Sequence, residues 1–156
     1  MKNMSHALLR LSNTVDVRVT RAPSNLLLPL GNIYVTIISM IEVREYVDAR
    51  GHSPYRDWIV QLDTTARVRI ITAVLRLEQG NFSAAKGVGS GVSELRLDFG
   101  PGYRVYFAKD GEQLVILFGG GSKRRQQADI KAAHALWAEY KKRKRENEFK
   151  MRKQEK

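Results

Sequence analysis

Arg96 and Arg104 are spaced so that two neighbouring strands could place both side chains beside a single anion. The segment 94–107, ELRLDFGPGYRVYF, is typical of two short strands joined by a tight turn. Because side chains alternate along a strand, a turn centred on Gly100 sets Arg96 opposite Arg104. Like charges directly across a ladder destabilise it, so such a pair is tolerated beside an acid or where an anionic ligand binds.

The same alternation sorts the other side chains of the hairpin onto two faces. The odd-numbered residues are apolar and should pack on helices: Leu95, Leu97, Phe99, Tyr103, Val105 and Phe107. The even-numbered residues share the opposite face: Glu94, Arg96, Asp98, Arg104 and Tyr106, with Glu94 opposite Tyr106. In one interpretation the two acids neutralise the arginines on a solvated face. In the other, the arginines bind an anion and Tyr106 stacks on a base or transfers a proton.

A second group of cations follows a run of glycines. The segment GGGSKRRQ, residues 119–126, places Lys123, Arg124 and Arg125 at the start of a predicted helix, where cations oppose the helix dipole. A Walker-type phosphate loop is absent. We expect glycines at a strand end to leave backbone N–H groups free to bind an anion together with these cations. In a meander, Lys123 comes to the same end of the sheet as the arginines, and the cluster suits a phosphodiester.

Composition and charge narrow the class of protein. The chain has 156 residues, a net charge of +11 and no cysteine. Thiolate chemistry, disulfides and sulfur-based zinc sites are therefore excluded, and a reducing cytoplasm fits. His6, His52 and His134 are scattered and accompany no paired carboxylates, so we expect no metal and no cofactor.

The charge also divides the chain into three parts. Residues 1–39 carry +3, residues 40–140 carry +2 and residues 141–156 carry +6. We interpret 1–39 as an N-terminal extension, loosely ordered with one strand at 34–38, or as an upstream reading-frame extension that precedes a true start at Met40. Its apolar run is too short and too interrupted to span a membrane. We interpret 141–156 as a solvated, frayed helix end.

The middle part has the signals of a small α+β domain. A strand at 41–47 precedes two helices, capped by Ser53 and Asp63, that form an antiparallel pair. Residues 81–91 are a loop by composition. Strands follow at 92–99, 103–109 and 113–118, and then a helix over 125–140. The predicted fold is an antiparallel sheet packed against an N-terminal helix pair and a C-terminal helix.

The motifs of this domain resemble a known family. E-L-R, G-x-G-Y-R-V-Y, the glycine run with its lysine, Q-x-x-D-I and the terminal helix occur in the order seen in the RelE/ParE superfamily of toxin–antitoxin toxins. The resemblance is closest to HigB-like addiction module killer proteins, also described as phage-derived Gp49-like, and it spans about 40–140. It implies a compact, microbial-RNase-like fold.

The resemblance also implies roles for individual residues. Combined with the face assignment, it gives a catalytic set of Arg96, Arg104, Lys123 and Tyr106. The RNA-binding set is Tyr103, Arg124, Arg125 and Gln126, and the structural set is Gly100, Gly102, Gly120 and Asp129. Gln126 and Asp129 are equally compatible with capping the loop before the last helix. Arg124 and Arg125 depart from the family, whose members usually carry small hydroxylated residues there.

As a function, the resemblance implies the toxin of a type II toxin–antitoxin system that cleaves mRNA, commonly on the ribosome. The expected partners are the mRNA and a cognate antitoxin, often of the helix-turn-helix kind, and the expected location is the cytoplasm. Two alternatives stay open. ParE-type relatives poison DNA gyrase, so the fold does not decide the target, and a non-catalytic RNA-binding protein would carry the same cations.

Overall fold

The computed structural model describes residues 41–154 and, before them, only the backbone of four short strands. These are β1 (Ala7–Arg10), β2 (Val17–Val19), β3 (Leu26–Leu30) and β4 (Ile33–Ile38). They form an antiparallel sheet in the order β2-β1-β4-β3, and the strand predicted at 34–38 lies within β4. His6 and Met40 lie outside the described residues, so the start at Met40 stays a prediction.

The elements that follow come in separate runs of helices and strands, as is typical of an α+β fold. In chain order they are β5 (Glu42–Glu45), α1 (Pro54–Val60), α2 (Thr64–Glu78), β6 (Ala85–Gly89), β7 (Val92–Leu97), β8 (Tyr103–Asp110), β9 (Leu114–Ser122), a 3₁₀ turn (Lys123–Arg125) and α3 (Gln126–Gln154). The strands form one sheet in the order β5-β9-β8-β7-β6. This confirms the predicted α+β class. The sheet is mixed, because β5 pairs with β9 in parallel while the other pairs are antiparallel.

The helix pair begins where the sequence predicts. The Ser53 hydroxyl accepts a hydrogen bond from the Arg56 amide at 3.2 Å, and Pro54 occupies the first turn of α1. The Asp63 carboxylate caps α2 through the Ala66 amide at 3.0 Å. Three residues, 61–63, connect the two helices, and buried side chains of both belong to the core on one face of the sheet.

Each face of the sheet has its own core. Leu95, Leu97, Val105 and Phe107 pack with the buried side chains of α1 and α2, which confirms the odd-numbered apolar face. On the other face, Tyr106 and its neighbours pack against Ala133 and Trp137 of α3. α3 therefore covers the part of the even-numbered face around Glu94 and Tyr106, whereas Arg96 and Asp98 on the same face are exposed.

Two segments differ from their predictions. Residues 81–91 contain the edge strand β6, which pairs with β7 at Lys86↔Glu94, and not only a loop. Strand β9 continues through the glycine run to Ser122 instead of ending at Phe118. Both segments are rich in glycine, and their composition therefore predicted a loop. Glycine is uncommon in strands except where another group approaches the backbone closely.

The third helix is longer than predicted. It runs unbroken from Gln126 to Gln154, so the segment expected to be a frayed end is helical over all its described residues. Among the helices that the structure describes, none has the length and apolar character needed to cross a bilayer.

Candidate functional site

The β7–β8 hairpin places the two arginines as predicted. Arg96 pairs with Arg104 across the ladder, and Glu94 pairs with Tyr106. The turn between the strands is made possible by Gly100 and Gly102, whose φ angles are +54° and +71°.

Glu94 lies at the centre of the group. Its side chain has no exposed surface, and its Oε1 atom accepts from Arg96 Nε at 2.7 Å and from Arg104 Nη1 at 3.4 Å. Its other oxygen, Oε2, accepts from Gln126 Nε2 at 2.8 Å. One buried carboxylate thus offsets the repulsion between the two guanidinium groups. Asp98, the second acid expected to neutralise them, pairs with neither.

The two arginines differ in what remains available for a ligand. Arg96 uses Nε for Glu94 and is 39% exposed, and its two terminal nitrogens have no partner in the described part of the chain. Arg104 is 12% exposed, and its buried Nε has no hydrogen-bond partner. The group of two arginines and one glutamate keeps one positive charge, presented to solvent mainly through Arg96.

Lys123 reaches the same end of the sheet. Its backbone amide donates to the Gly102 carbonyl at 3.0 Å, beside the hairpin turn. The β8–β9 register sets Arg104 opposite Gly121 and Tyr103 opposite Ser122. Lys123, Arg124 and Arg125 are exposed, and none of them forms an ion pair with a described residue.

The glycine run is part of strand β9 and not a loop. Gly119, Gly120 and Gly121 are paired with β8, and alternate residues of an antiparallel strand direct their N–H groups toward that partner. Free N–H groups stay a prediction for the residues that point away from β8. A Cβ at Gly120 would overlap the indole of Trp58, and one at Gly121 would overlap the carboxylate of Asp129. Glycine is needed here because a helix approaches the strand from each side.

The structure does not favour the predicted role of Tyr106 in stacking or proton transfer. The residue is 1% exposed and packs in the core beneath α3, so its ring cannot meet a base. Burial, reinforced by the charges of Asp129 and Glu94 and opposed by Arg104, raises its pKa to about 12. A phenol with that pKa is a poor base at neutral pH.

Tyr103 lies on the other face of the sheet. Its ring packs 5.1 Å from the Phe99 ring and 6.3 Å from the Trp58 ring, measured between centroids. It is half-buried against the helix-pair core, so it does not join the arginines.

Asp129 and Gln126 support the cluster from α3. The Asp129 carboxyl lies against Gly121, its Oδ2 atom is buried without a hydrogen-bond partner, and burial raises its pKa while Arg125 lowers it. Gln126 bonds to Glu94, a contact that sequence reasoning missed. The signal for the central role of Glu94 was present, because an acid two residues before an arginine shares its face of a strand.

The two histidines that the structure describes lie away from this cluster. The Nε2 atom of His134 is 3.1 Å from the Val88 carbonyl, and His52 pairs with Asp57. The described residues contain no group of three or more His, Cys, Asp or Glu placed to hold a metal ion.

Comparison with known proteins assigns the chain to a family. The family model described as phage-derived protein Gp49-like (DUF891) matches residues 57–145, which include the hairpin, the glycine run and the first part of α3. A Haemophilus influenzae protein, described only as uncharacterized, is 42% identical over 83 residues, covering 53% of this chain and 84% of that protein. The hairpin arginines, their buried glutamate and the lysine beside the turn thus lie in the matched span, and the chain belongs to the Gp49-like family of addiction-module toxin-like proteins.

Proposed function

We propose that this chain is the toxin of a type II toxin–antitoxin system and a metal-independent mRNA endoribonuclease of the HigB-like branch of the RelE/ParE superfamily. The observation that carries the proposal is the Arg96–Glu94–Arg104 cluster. It lies beside the hairpin turn, and the Lys123 backbone bonds to that turn. Membership of a family of addiction-module toxin-like proteins supports it.

The cluster suits a phosphate group. Glu94 binds Arg96 through Nε and so holds the guanidinium plane with its two terminal nitrogens free. Those nitrogens form a planar fork that matches two phosphate oxygens. Exposed Lys123 adds a point charge at the same end of the sheet. Charges fixed before the substrate arrives stabilise the charge that develops on a phosphorane.

The reaction proposed needs no external nucleophile. The 2′-oxygen of the RNA attacks the adjacent phosphorus and the bond to the 5′-oxygen breaks, which leaves a 2′,3′-cyclic phosphate and a 5′-hydroxyl. The 2′-hydroxyl loses a proton, and the leaving oxygen gains one, for which Lys123 is the candidate donor.

The proton leaving the 2′-hydroxyl has no evident acceptor among the described residues of the cluster. Glu94 is buried and accepts three hydrogen bonds, and Tyr106 is buried with its pKa raised to about 12. In-line placement of the nucleophile must therefore supply much of the rate enhancement. This favours an enzyme that is slow alone and acts on mRNA presented by the ribosome, in the cytoplasm. Its proposed second partner is a cognate antitoxin of the helix-turn-helix kind.

The test is induction of single variants in cells. Arg96→Ala and Arg104→Ala should each abolish growth arrest and the new transcript ends that appear on induction, because each removes a cation from the cluster. Arg50→Ala is the matched control, since Arg50 is 89% exposed in the turn before α1.

Three outcomes would contradict the proposal. Full toxicity of both hairpin variants would show that the site is misassigned. DNA damage without transcript cleavage would identify a gyrase-directed toxin. Changes confined to salt-dependent RNA affinity would identify a non-catalytic RNA-binding protein.

A further inference from the structure

The C-terminal part of α3 carries cations of two kinds. Residues 141–154 contain eight basic and two acidic side chains. Three of these basic side chains, Lys141, Arg143 and Lys144, make contacts within the domain. Arg143 donates to the Val47 carbonyl at 2.7 Å, Lys144 bonds to Asp110 at 2.7 Å, and the Lys141 ammonium lies 5.2 Å from the Trp137 ring centroid.

The opposite side of the helix, which we name the outer face, consists of Lys142, Arg145, Phe149, Arg152 and Lys153. At 3.6 residues per turn these positions project away from the inward Arg143 and its neighbours. All five are exposed, and Phe149, at their centre, is 58% exposed. The positions from 142 to 153 extend over about 16 Å of helix.

The cations of the outer face are not neutralised within the domain. Lys142, Arg145 and Arg152 make no hydrogen bond or ion pair with any residue that the structure describes, and Glu146 at the border is unpaired as well. The ammonium of Lys153 lies 4.7 Å from the Phe149 ring centroid. The inner cations contact other parts of the domain, whereas Lys142, Arg145 and Arg152 have no such contact among the described residues.

Helix stability does not account for this arrangement. Lys142 and Arg145 are three residues apart, a spacing at which like charges repel. A helix dipole favours cations only within the last turn, which accounts for Arg152 and Lys153 but not for the other two. A negatively charged ligand would account for all four cations of the outer face.

The chemistry of the face favours a nucleic acid over a membrane. A helix that lies in a membrane needs one continuous apolar face, but Phe149 and Met151 project about 160° apart. Guanidinium and ammonium groups suit phosphate oxygens, and an aromatic ring among them suits an unpaired base.

We propose that the outer face of α3 binds the phosphodiester backbone of a nucleic acid, at a surface separate from the hairpin arginines. Three of its five residues, from Phe149 onward, lie beyond the span matched by the family model, so the proposal does not rest on membership of the family. It does not depend on the proposed function, because a nucleic acid can be bound here whether or not it is cleaved.

The test measures binding by the full chain to a short RNA duplex and to a DNA duplex of the same sequence, over a series of salt concentrations. The triple variant Lys142→Gln, Arg145→Gln and Arg152→Gln keeps good helix formers and removes three charges. The control triple, Arg50→Gln, Arg76→Gln and Lys86→Gln, removes three exposed charges from other elements. Circular dichroism verifies that both are folded.

The outer-face triple should bind about tenfold to a hundredfold more weakly, and its log–log salt slope should fall by about 0.9 for each phosphate that the variant no longer neutralises. The control triple should change both quantities much less. A preference for one duplex would then identify the nucleic acid, and an equal weakening on both would identify binding to the backbone that the two share.

Phe149→Ala separates stacking from charge. It should weaken binding to an RNA hairpin with an unpaired loop more than binding to the duplex, because only the loop offers a free base face.

Two results would overturn the proposal. Equal weakening in the outer-face and control triples would show a general charge effect. Binding of the outer face to anionic lipid vesicles, with duplex binding unchanged in the triple, would assign it to a membrane surface. Arg96→Ala distinguishes this surface from the proposed function, since it should abolish cleavage while the salt slope that depends on the outer face persists.

Discussion

Glu94 is the acceptor for donors from three elements, β7, β8 and α3. Its burial leaves no water to replace a missing partner, so the carboxylate and the guanidinium groups depend on each other. The pairing does not stop Arg96 from binding an anion, because it occupies only Nε. The sequence suggested two alternatives for the arginine pair, neutralisation by an acid or binding of an anion. In the structure the two are compatible, because Glu94 leaves the terminal nitrogens of Arg96 available.

Glu94→Gln should lower the free energy of unfolding by about 2 kcal/mol, since it keeps the shape but leaves two facing arginines without a counter-charge. Urea denaturation measures the change. Asp98→Asn is the control, because Asp98 pairs with neither arginine and its loss should have little effect. Equal destabilisation by the two changes would contradict this account of the cluster.

Tyr106→Phe should leave toxicity and stability at neutral pH almost unchanged, because the buried hydroxyl has no hydrogen-bond partner to lose. The difference should appear in alkali. The pKa of the folded-state phenol is raised to about 12, above its unfolded value of 10.0, so the folded chain holds this proton more tightly. Stability is then fully present below pH 10 and falls as pH rises toward 12.

The variant should therefore lose stability less steeply between those pH values than the parent chain. Unfolding by urea at a series of alkaline pH values measures the slope. Burial also raises the pKa values of Tyr46, Tyr55 and Tyr140, and these residues contribute to the pH dependence that remains in the variant. Loss of toxicity in Tyr106→Phe would restore a catalytic role for the phenol.

At the scale of elements, β9 is contacted by helices on both faces of the sheet. The Trp58 ring of α1 packs against Gly120, and the Asp129 carboxyl of α3 packs against Gly121. The alternation of apolar and polar residues was enough to predict β7 and β8 and their facing arginines, because a strand with one apolar face has an apolar residue at every second position. It could not predict the end of β9 or the strand β6, where small residues leave no such pattern.

Gly120→Ala should lower the free energy of unfolding by about 3 kcal/mol, since the added methyl group meets the rigid Trp58 ring from a strand that cannot shift alone. Gly119→Ala is the matched control, because nothing lies within 4 Å of a Cβ there. Thermal or urea unfolding of the two variants gives the comparison. A small effect at Gly120 would mean that α1 can move away without cost.

At the scale of the molecule, the helix pair covers one face of the sheet and α3 covers the other. The candidate site lies at the end where the hairpin turn meets the start of α3. The sequence could predict the strands and their charges, but not that the charged face would be covered. The hydrophobic spacing of α3 indicates a buried stripe without saying which surface it meets.

The parallel pairing of β5 with β9 has a consequence for how the protein is made. The first strand of the domain finds its neighbour only when Leu114 and the residues after it are available, and Glu94 gains its third donor only with Gln126. Contacts so distant along the chain form late and slowly. A nascent chain therefore cannot complete the arginine–glutamate cluster until almost the whole domain has emerged, and the activity that we propose for the cluster would begin only then.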